Sequence, residues 1–209
     1  NVIFENDNKI RTAEFIANFF NKIVKVLCQS KPDLVLILGD RPEMLCVAVT
    51  CLYLGIPSGH IHGGERTGTV DEVARHAITK LSHVHFAATD ESAERLRKMG
   101  EDNWRIHTVG APTLDTILNE KLPTRAELLL NLGMNPKEKF ILVLQHPVSE
   151  NMTNAGRQMK ETIEAVKKFN MPVVFIYPHA DVGGKKIIEE IQKEKNNLFL
   201  SATEKENYE

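Results

Sequence analysis

Five histidines and three glycines fall within residues 60–86, in the run "HIHGGERTGTVDEVARHAITKLSHVHF", together with several carboxylates. Imidazoles and carboxylates are the groups that most often move protons in acid–base catalysis, and glycines let a ligand approach the backbone closely. The stretch therefore predicts a proton-transfer site or a metal site. The histidine spacing matches no recognised zinc-ligand pattern, so we expect no metal and no cofactor.

Asp40 and Arg41 follow the apolar run "DLVLILG" (33–39), where a strand is expected to end. An aspartate at this point can accept a proton or bind a hydroxyl group, and an arginine can clamp a phosphate through two hydrogen bonds. Asp40 could also cap the helix that follows. These residues alone leave both roles open.

Gly63 and Gly64 are candidates for close backbone approach to a substrate, although "HGGE" is neither a GxGxxG nor a Walker sequence. His60 and His62 lie two residues apart on an expected strand, so their side chains should point to opposite faces. We expect one of them to pack in the core and the other to face a cleft, with Glu65 close by.

Asp71 and Glu72 begin the next expected helix, where acidic side chains favour the positive end of the helix dipole. If the preceding loop folds over a substrate, the same carboxylates become candidate general bases. Arg75 and His76 follow on this helix, and we expect one to face the cleft and the other to be structural.

His146 and His179 each follow an apolar run in the second half of the sequence, "FILVLQHP" and "PVVFIYPH". A histidine there can stabilise a departing phosphate as an imidazolium or transfer protons near neutral pH. Both are therefore candidates for a ligand site.

Apolar runs of strand length alternate with helical patterns along the chain, which predicts βαβ units and parallel sheets, with strands such as 33–39 covered on both faces. We predict an α/β fold of two Rossmann-like domains, residues 1–118 and 138–209, joined by a charged connector at 119–137. Ligands bind at the carboxyl ends of strands in such folds, where the polar clusters lie.

The chain has 209 residues, 42% hydrophobic residues and a formal charge of −2. This charge argues against a nucleic-acid partner, which would require a clear Lys/Arg excess. No signal peptide or membrane span is evident, so we expect no membrane partner. The three cysteines lack the paired spacing of a zinc site and are interpreted as free thiols in a reducing cytoplasm.

The run "GDRPEMLCVAVTCLYLGIPSGHIHGGERTGTVDEVARHAITKLSHVHFAAT", followed by "VGAPTLD" and "LQHPVSEN", resembles the UDP-N-acetylglucosamine 2-epimerases. It is most similar to the hydrolysing branch, which forms N-acetylmannosamine for sialic acid synthesis. The resemblance implies a fold like the B-type glycosyltransferases, a UDP-sugar substrate, and a homo-oligomer (dimer or tetramer). It also implies elimination of UDP across C1–C2 to a 2-acetamidoglucal, followed by addition of water.

The resemblance implies an acid–base role for Asp40. It places Asp71 on a catalytic carboxylate and His146 on the catalytic histidine near the diphosphate. It assigns contacts with the nucleotide sugar to three others, Arg41, Asp115 and His179, and places Glu72 beside a catalytic carboxylate. Many family members carry Glu where this chain has His62. The acid–base role of that position could pass to His62 itself or to Glu65, or be lost.

The family also implies an N-terminal βα unit and a C-terminal nucleotide-binding segment that the sequence lacks, so we expect both domains to be incomplete. Four alternatives to the hydrolysing enzyme remain open. They are a non-hydrolysing 2-epimerase, an epimerase for a bacillosamine-type sugar nucleotide, a non-catalytic nucleotide-sugar-binding module, and a glycosyltransferase of similar architecture.

Overall fold

The computed structural model describes residues 9–178, 183–194 and 199–202. The chain divides into two compact units, whose main segments are Thr12–Glu120 and Lys121–Glu209. Each unit contains one parallel sheet with helices, which confirms the predicted α/β class. Among the described helices, none is both long and apolar enough to cross a bilayer.

The first unit is built on four parallel strands in the order β1-β2-β3-β4. The strands are β1 (Val35–Leu38), β2 (Ser58–Ile61), β3 (Val84–Ala87) and β4 (Ile106–Thr108). The helices are α1 (Lys9–Ser30), α2 (Pro42–Leu54), α3 (Val70–Leu81), α4 (Asp90–Lys98) and α5 (Pro112–Asn119), with a 3-10 turn at Asn103–Arg105.

Just past the carboxyl ends of the strands, one further backbone hydrogen bond joins each of two pairs of neighbouring strands. The backbone N–H of Gly39 donates to the carbonyl of Ile61, and that of His62 donates to the carbonyl of Phe86, each at 3.0 Å. The loops that carry the candidate residues therefore start from one edge of the sheet, as the sequence predicts.

The core of this unit lies on one side of β1. Ile37 is fully buried and belongs to a cluster that also contains Val47, Cys51 and Ile78. The alternate side chains Leu34, Leu36 and Leu38 are exposed. The expectation that this strand is covered on both faces is therefore wrong for the described residues, because helices pack on only one side of it.

A buried ionic cluster links α3, β3 and the start of β4. Glu101 accepts hydrogen bonds from Lys80 at 2.6 Å and from His85 at 3.0 Å, and Arg105 lies 3.1 Å away. Burial opposes ionisation of Glu101, but the hydrogen bond from Lys80 and the nearby His85 bring its pKa below the ordinary value.

The second unit contains three parallel strands in the order β5-β6-β7. The strands are β5 (Ile141–Leu144), β6 (Val173–Ile176) and β7 (Phe199–Ala202), and the helices are α6 (Arg125–Asn131), α7 (Ala155–Lys167) and α8 (Gly184–Lys193), with a 3-10 segment at Ser149–Asn154.

The segment predicted as a connector, 119–137, contains α6, which starts with a reciprocal cap between Thr124 and Glu127. Leu129 and Met134, from this helix and the turn after it, pack with Val174 of β6. The main core of the second unit is formed by side chains from its sheet, α7 and α8, including Met159, Ile163, Phe175 and Ile187.

Candidate functional site

An ion pair joins the end of β1 to α3. The guanidinium of Arg75 donates from Nη2 to a carboxylate oxygen of Asp40, and from Nη1 to the backbone carbonyl of Glu65 at 3.0 Å. Arg75 thus fixes two loops of the carboxyl edge at once. Of the two helix residues considered from the sequence, Arg75 is the buried one, and His76 is half-buried.

Burial lowers the pKa of Arg75, although an arginine stays protonated in proteins. A charged group at this depth is stable only with a partner of opposite charge, which Asp40 supplies. Asp40 does not provide a described side-chain cap for α2, whose N-terminus lacks such a hydrogen bond. Asp40 is therefore engaged with a cation at the sheet edge.

His62 and Glu65 form a second acid–base pair beside this one. The Nδ1 atom of His62 lies 2.6 Å from a carboxylate oxygen of Glu65, and both side chains are partly exposed. His62 has φ +66°, in the left-handed region that only a few non-glycine residues adopt. Such backbone conformations are frequent at functional sites, and the residue that adopts one here is the partner of Glu65.

The glycine pair after His62 packs tightly against neighbouring elements. Gly64 has φ +81°, and a Cβ atom there would overlap the carbonyl oxygen of Ser92 on α4. A Cβ atom at Gly63 would lie 3.0 Å from Nδ1 of His60. The side chain of Arg95, also on α4, donates to the carbonyl of Gly64. Close packing within the protein thus requires both glycines.

The carboxylates that begin α3 hold the loop in front of it. Glu72 accepts hydrogen bonds from the backbone N–H groups of Thr67 at 2.9 Å and Gly68 at 2.7 Å. The bonds from Gly68 and then Thr67 lower the pKa of Glu72. Asp71 accepts a hydrogen bond from the hydroxyl of Thr69 at 3.2 Å. Glu72 is thus committed to loop structure, and Asp71 remains partly exposed.

His60 is the packed member of the predicted pair and His62 the partly exposed one, which agrees with the sequence interpretation. Burial lowers the pKa of His60 to about 4, so the imidazole is neutral at physiological pH. It contacts the carbonyl of Gly39 and the hydroxyl of Thr79.

The remaining candidates make no described contact with these pairs. Arg41 is exposed at the start of α2, with its Nε atom 3.7 Å from Glu43. Asp115 is exposed in the first turn of α5, which follows β4 at the far side of the sheet from β1. His146 is exposed after β5 in the second unit, and His179 lies outside the described residues.

Sequence reasoning missed the contacts of Arg95 and Thr79, and the link that the neutral His60 makes to Gly39. Their contacts join residues that are 19 to 31 positions apart. The Glu91–Arg95 spacing of four residues predicts only a helix-surface ion pair, which also forms, at 2.8 Å. Within the described ranges, no group of three or more His, Cys, Asp or Glu side chains could hold a metal ion.

Comparison with known proteins gives relatives of the same kind along most of the chain. UDP-N,N'-diacetylbacillosamine 2-epimerase (hydrolyzing) from Legionella pneumophila is 46% identical over 162 residues, covering 78% of this chain and 43% of that protein. UDP-N-acetylglucosamine 2-epimerase from Neisseria meningitidis is 32% identical, over 89% of this chain and 49% of that protein. The chain spans about half the length of the curated relatives it matches.

The solved structure of Methanocaldococcus jannaschii UDP-GlcNAc 2-epimerase, in complex with UDP-GlcNAc and UDP, aligns with a TM-score of 0.74 at 22% identity, over 91% of this chain and 54% of that one. The Neisseria meningitidis enzyme bound to UDP-GlcNAc gives 0.73 at 23%, over 91% and 54%. These likenesses show the fold, in the B-type glycosyltransferase class predicted from the sequence. The sequence model of the UDP-N-acetylglucosamine 2-epimerase family matches residues 2–208, and the chain belongs to this family.

Proposed function

We propose that the protein is a hydrolysing nucleotide-sugar 2-epimerase, which converts a UDP-activated 2-acetamido sugar and water into the free C2 epimer and UDP. The observation that carries the proposal is the pair of acid–base groups at one sheet edge. Asp40 is bound to buried Arg75, and His62 is bound to Glu65. A module that only binds a nucleotide sugar has no need of these groups beside the sugar.

The reaction has two steps that balance without a cofactor. A base removes the proton from C2, the electron pair forms the C1–C2 double bond, and the C1–O bond breaks to release UDP. Water then supplies a hydroxyl group to C1 and a proton to the opposite face of C2. The first step needs a base and stabilisation of the departing diphosphate, and the second needs an acid.

We assign the acid–base work to Asp40 and to the His62–Glu65 pair, with Asp71 as a further carboxylate on the rim of the same loop. A histidine and a carboxylate at 2.6 Å can hold one proton between them and pass it to a substrate. This pair fills the place of the Glu that many family members carry at position 62. Arg41 is proposed to bind the diphosphate.

The relatives favour a substrate with two acetamido groups. UDP-N,N'-diacetylbacillosamine is the first candidate, because the Legionella 2-epimerase named for that substrate is 46% identical over most of this chain. UDP-N-acetylglucosamine, with N-acetylmannosamine as the product, is the second candidate. It is supported by the sequence resemblance and by the 32% identical Neisseria enzyme.

The test is incubation of the intact protein with each UDP-sugar in deuterated water, followed by proton NMR. Free sugar inverted and deuterated at C2, together with UDP, is the expected result. The faster of the two substrates identifies the sugar. A UDP-linked epimer in equilibrium with the substrate would move the protein to the non-hydrolysing branch. Tight UDP binding without turnover of either sugar would favour a binding module.

Glu65→Gln removes the carboxylate with little change in shape, and we expect kcat to fall about 10²–10⁴-fold, as is typical on loss of a general acid or base. Glu94→Gln, on the exposed side of α4, is the matched control. Equal activity of the two variants would exclude Glu65 from the chemistry.

We also propose a homo-oligomer, a dimer or tetramer, on the basis of the family alone, and light scattering of the intact protein measures this directly. The buried thiols of Cys46 and Cys51 suit a reducing cytoplasm, where we expect the protein to work.

A further inference from the structure

The imidazole of His60 is fully buried between the end of β1 and α3. Its Nε2 atom lies 2.8 Å from the carbonyl oxygen of Gly39, and its Nδ1 atom lies 3.1 Å from the hydroxyl of Thr79. A carbonyl oxygen only accepts, so Nε2 must carry the hydrogen. In a neutral ring Nδ1 is then an acceptor, and the hydroxyl of Thr79 donates to it.

Thr79 and Arg75 are four residues apart and lie on one face of α3. Arg75 binds the carboxylate of Asp40 directly, and Thr79 reaches the preceding residue, Gly39, through His60. Helix α3 therefore holds two successive residues at the end of β1, Gly39 through its backbone carbonyl and Asp40 through its side chain.

The link is closely packed on the side of Gly63. A Cβ atom on Gly63 would lie 3.0 Å from Nδ1 of His60 and 3.3 Å from the hydroxyl oxygen of Thr79. Gly39 itself has φ +75°, and a glycine can adopt more backbone conformations, and so more carbonyl directions, than any other residue. The bond from His60 fixes the direction of this carbonyl, and with it the point from which Asp40 projects.

We propose that Thr79 and His60 are positioning residues of the reaction, which fix the carbonyl of Gly39 and thereby hold the carboxylate of Asp40 in register with the sugar. The inference rests on the proposed function, in which Asp40 acts at the substrate. His60 carries no proton to the sugar in this scheme, because its two ring nitrogens are both engaged inside the protein. Its contribution is geometric.

Thr79→Val removes the hydroxyl and keeps the shape of the side chain. We expect kcat of the intact protein to fall about 10–100-fold, the loss that follows a displacement of roughly 1 Å in a catalytic group, while KM changes less than about threefold. Thr79→Ser restores the hydroxyl and should recover most of the lost kcat.

Thr50→Val is the matched control. The hydroxyl of Thr50 is also buried, but it donates to the carbonyl of Cys46 within α2, at 2.7 Å, and has no link to Gly39. Thr50→Val should lower the melting temperature about as much as Thr79→Val does and leave kcat unchanged. Equal loss of kcat in both variants, full kcat in Thr79→Val, or failure of Thr79→Ser to recover it would overturn the positioning role.

Nitrogen NMR of ¹⁵N-histidine-labelled protein examines the link without any turnover. The His60 signal is identified by its absence in His60→Gln, which separates it from that of buried His85. We expect a neutral imidazole with its hydrogen on Nε2 that stays neutral down to about pH 5, and its signal should shift in Thr79→Val. A hydrogen on Nδ1, or titration near the ordinary value, would refute the link. If the wild-type protein turns over neither UDP-sugar, the proposed function fails, and the NMR result still decides whether His60 holds Gly39.

Discussion

Arg75 and Asp40 form an ion pair that is buried on one side only: the Arg75 side chain is 5% exposed and that of Asp40 is 22% exposed. The guanidinium therefore depends on this carboxylate far more than the carboxylate depends on it. At the same time the pair places a carboxylate of fixed orientation at the edge of the site. The same contact thus stabilises the fold and orients a proposed catalytic carboxylate.

Arg75→Lys keeps the charge but offers a single nitrogen head, which cannot bond both Asp40 and the carbonyl of Glu65. We expect the free energy of unfolding to fall by about 1–3 kcal/mol and kcat to fall at least about tenfold. Urea denaturation and the NMR assay measure the two effects. Arg97→Lys, on the surface of α4, is the control and should change neither. Wild-type kcat in Arg75→Lys would contradict the proposed role of the pair.

Gly64→Ala adds a methyl group where the carbonyl oxygen of Ser92 already lies, at a residue with φ +81°. Gly68→Ala is a matched control, because Gly68 has φ +71° but nothing within 4 Å of the added atom. We expect a loss of about 1–2 kcal/mol for Gly68→Ala from backbone strain alone, and at least about 2 kcal/mol more for Gly64→Ala. Thermal unfolding of both variants measures the difference, and equal losses would contradict the tight packing.

His60 makes stability depend on pH. Its pKa falls from 6.5 to about 4 on folding because burial disfavours the charged ring, so the unfolded chain binds the extra proton between these values. Stability is therefore lost as the pH falls from 6.5 towards 4, by up to about 3 kcal/mol from this group. Urea unfolding at a series of pH values measures the slope. His60→Gln should flatten the curve, apart from the smaller contribution of buried His85, whose pKa burial also lowers.

Glu101→Gln removes the negative charge from the buried ionic cluster and leaves Lys80 and Arg105 without their partner. We expect a loss of about 1–3 kcal/mol, because the buried amide cannot satisfy the donors of Lys80, His85 and Arg105 as the carboxylate does. Glu94→Gln, whose partners Arg97 and Lys98 are exposed, should cost at most about 0.5 kcal/mol. Denaturation of the two variants side by side measures the contrast. A loss for Glu101→Gln no larger than that control would show that the cluster contributes little.

The sequence predicts the elements well where the local signal is strong. Pro42 begins α2, and Gly55, with φ +68°, ends it, as the roles of these residues in helices require. The predicted helix within the histidine-rich stretch is α3. His60 is packed and His62 is partly exposed, as expected, but His62 follows β2 with a left-handed backbone, so strand alternation is not the reason. The run "DESAERLRKMG" favours Asp90 as the cap of α4, but the structure differs, because the hydroxyl of Thr89 accepts the bond from the backbone N–H of Ser92.

The contacts that shape the site could not be predicted in the same way. Asp40 and Arg75 are 35 residues apart, and their pairing depends on how α3 packs across the sheet. Glu101 lies in a short loop after Gly100, with no local pattern to mark it as buried. Burial of a polar residue is a tertiary property, and a single sequence carries no periodic signal for it.

The leucines along the bare side of β1 (Leu34, Leu36 and Leu38) have counterparts in β5, where Leu142 and Leu144 are also exposed. Alternate exposed leucines on a strand form an apolar patch, and exposed patches of this kind tend to associate with one another. We therefore expect the polypeptide to self-associate at high concentration. Charged substitutions at Leu36 and Leu142 should reduce this self-association.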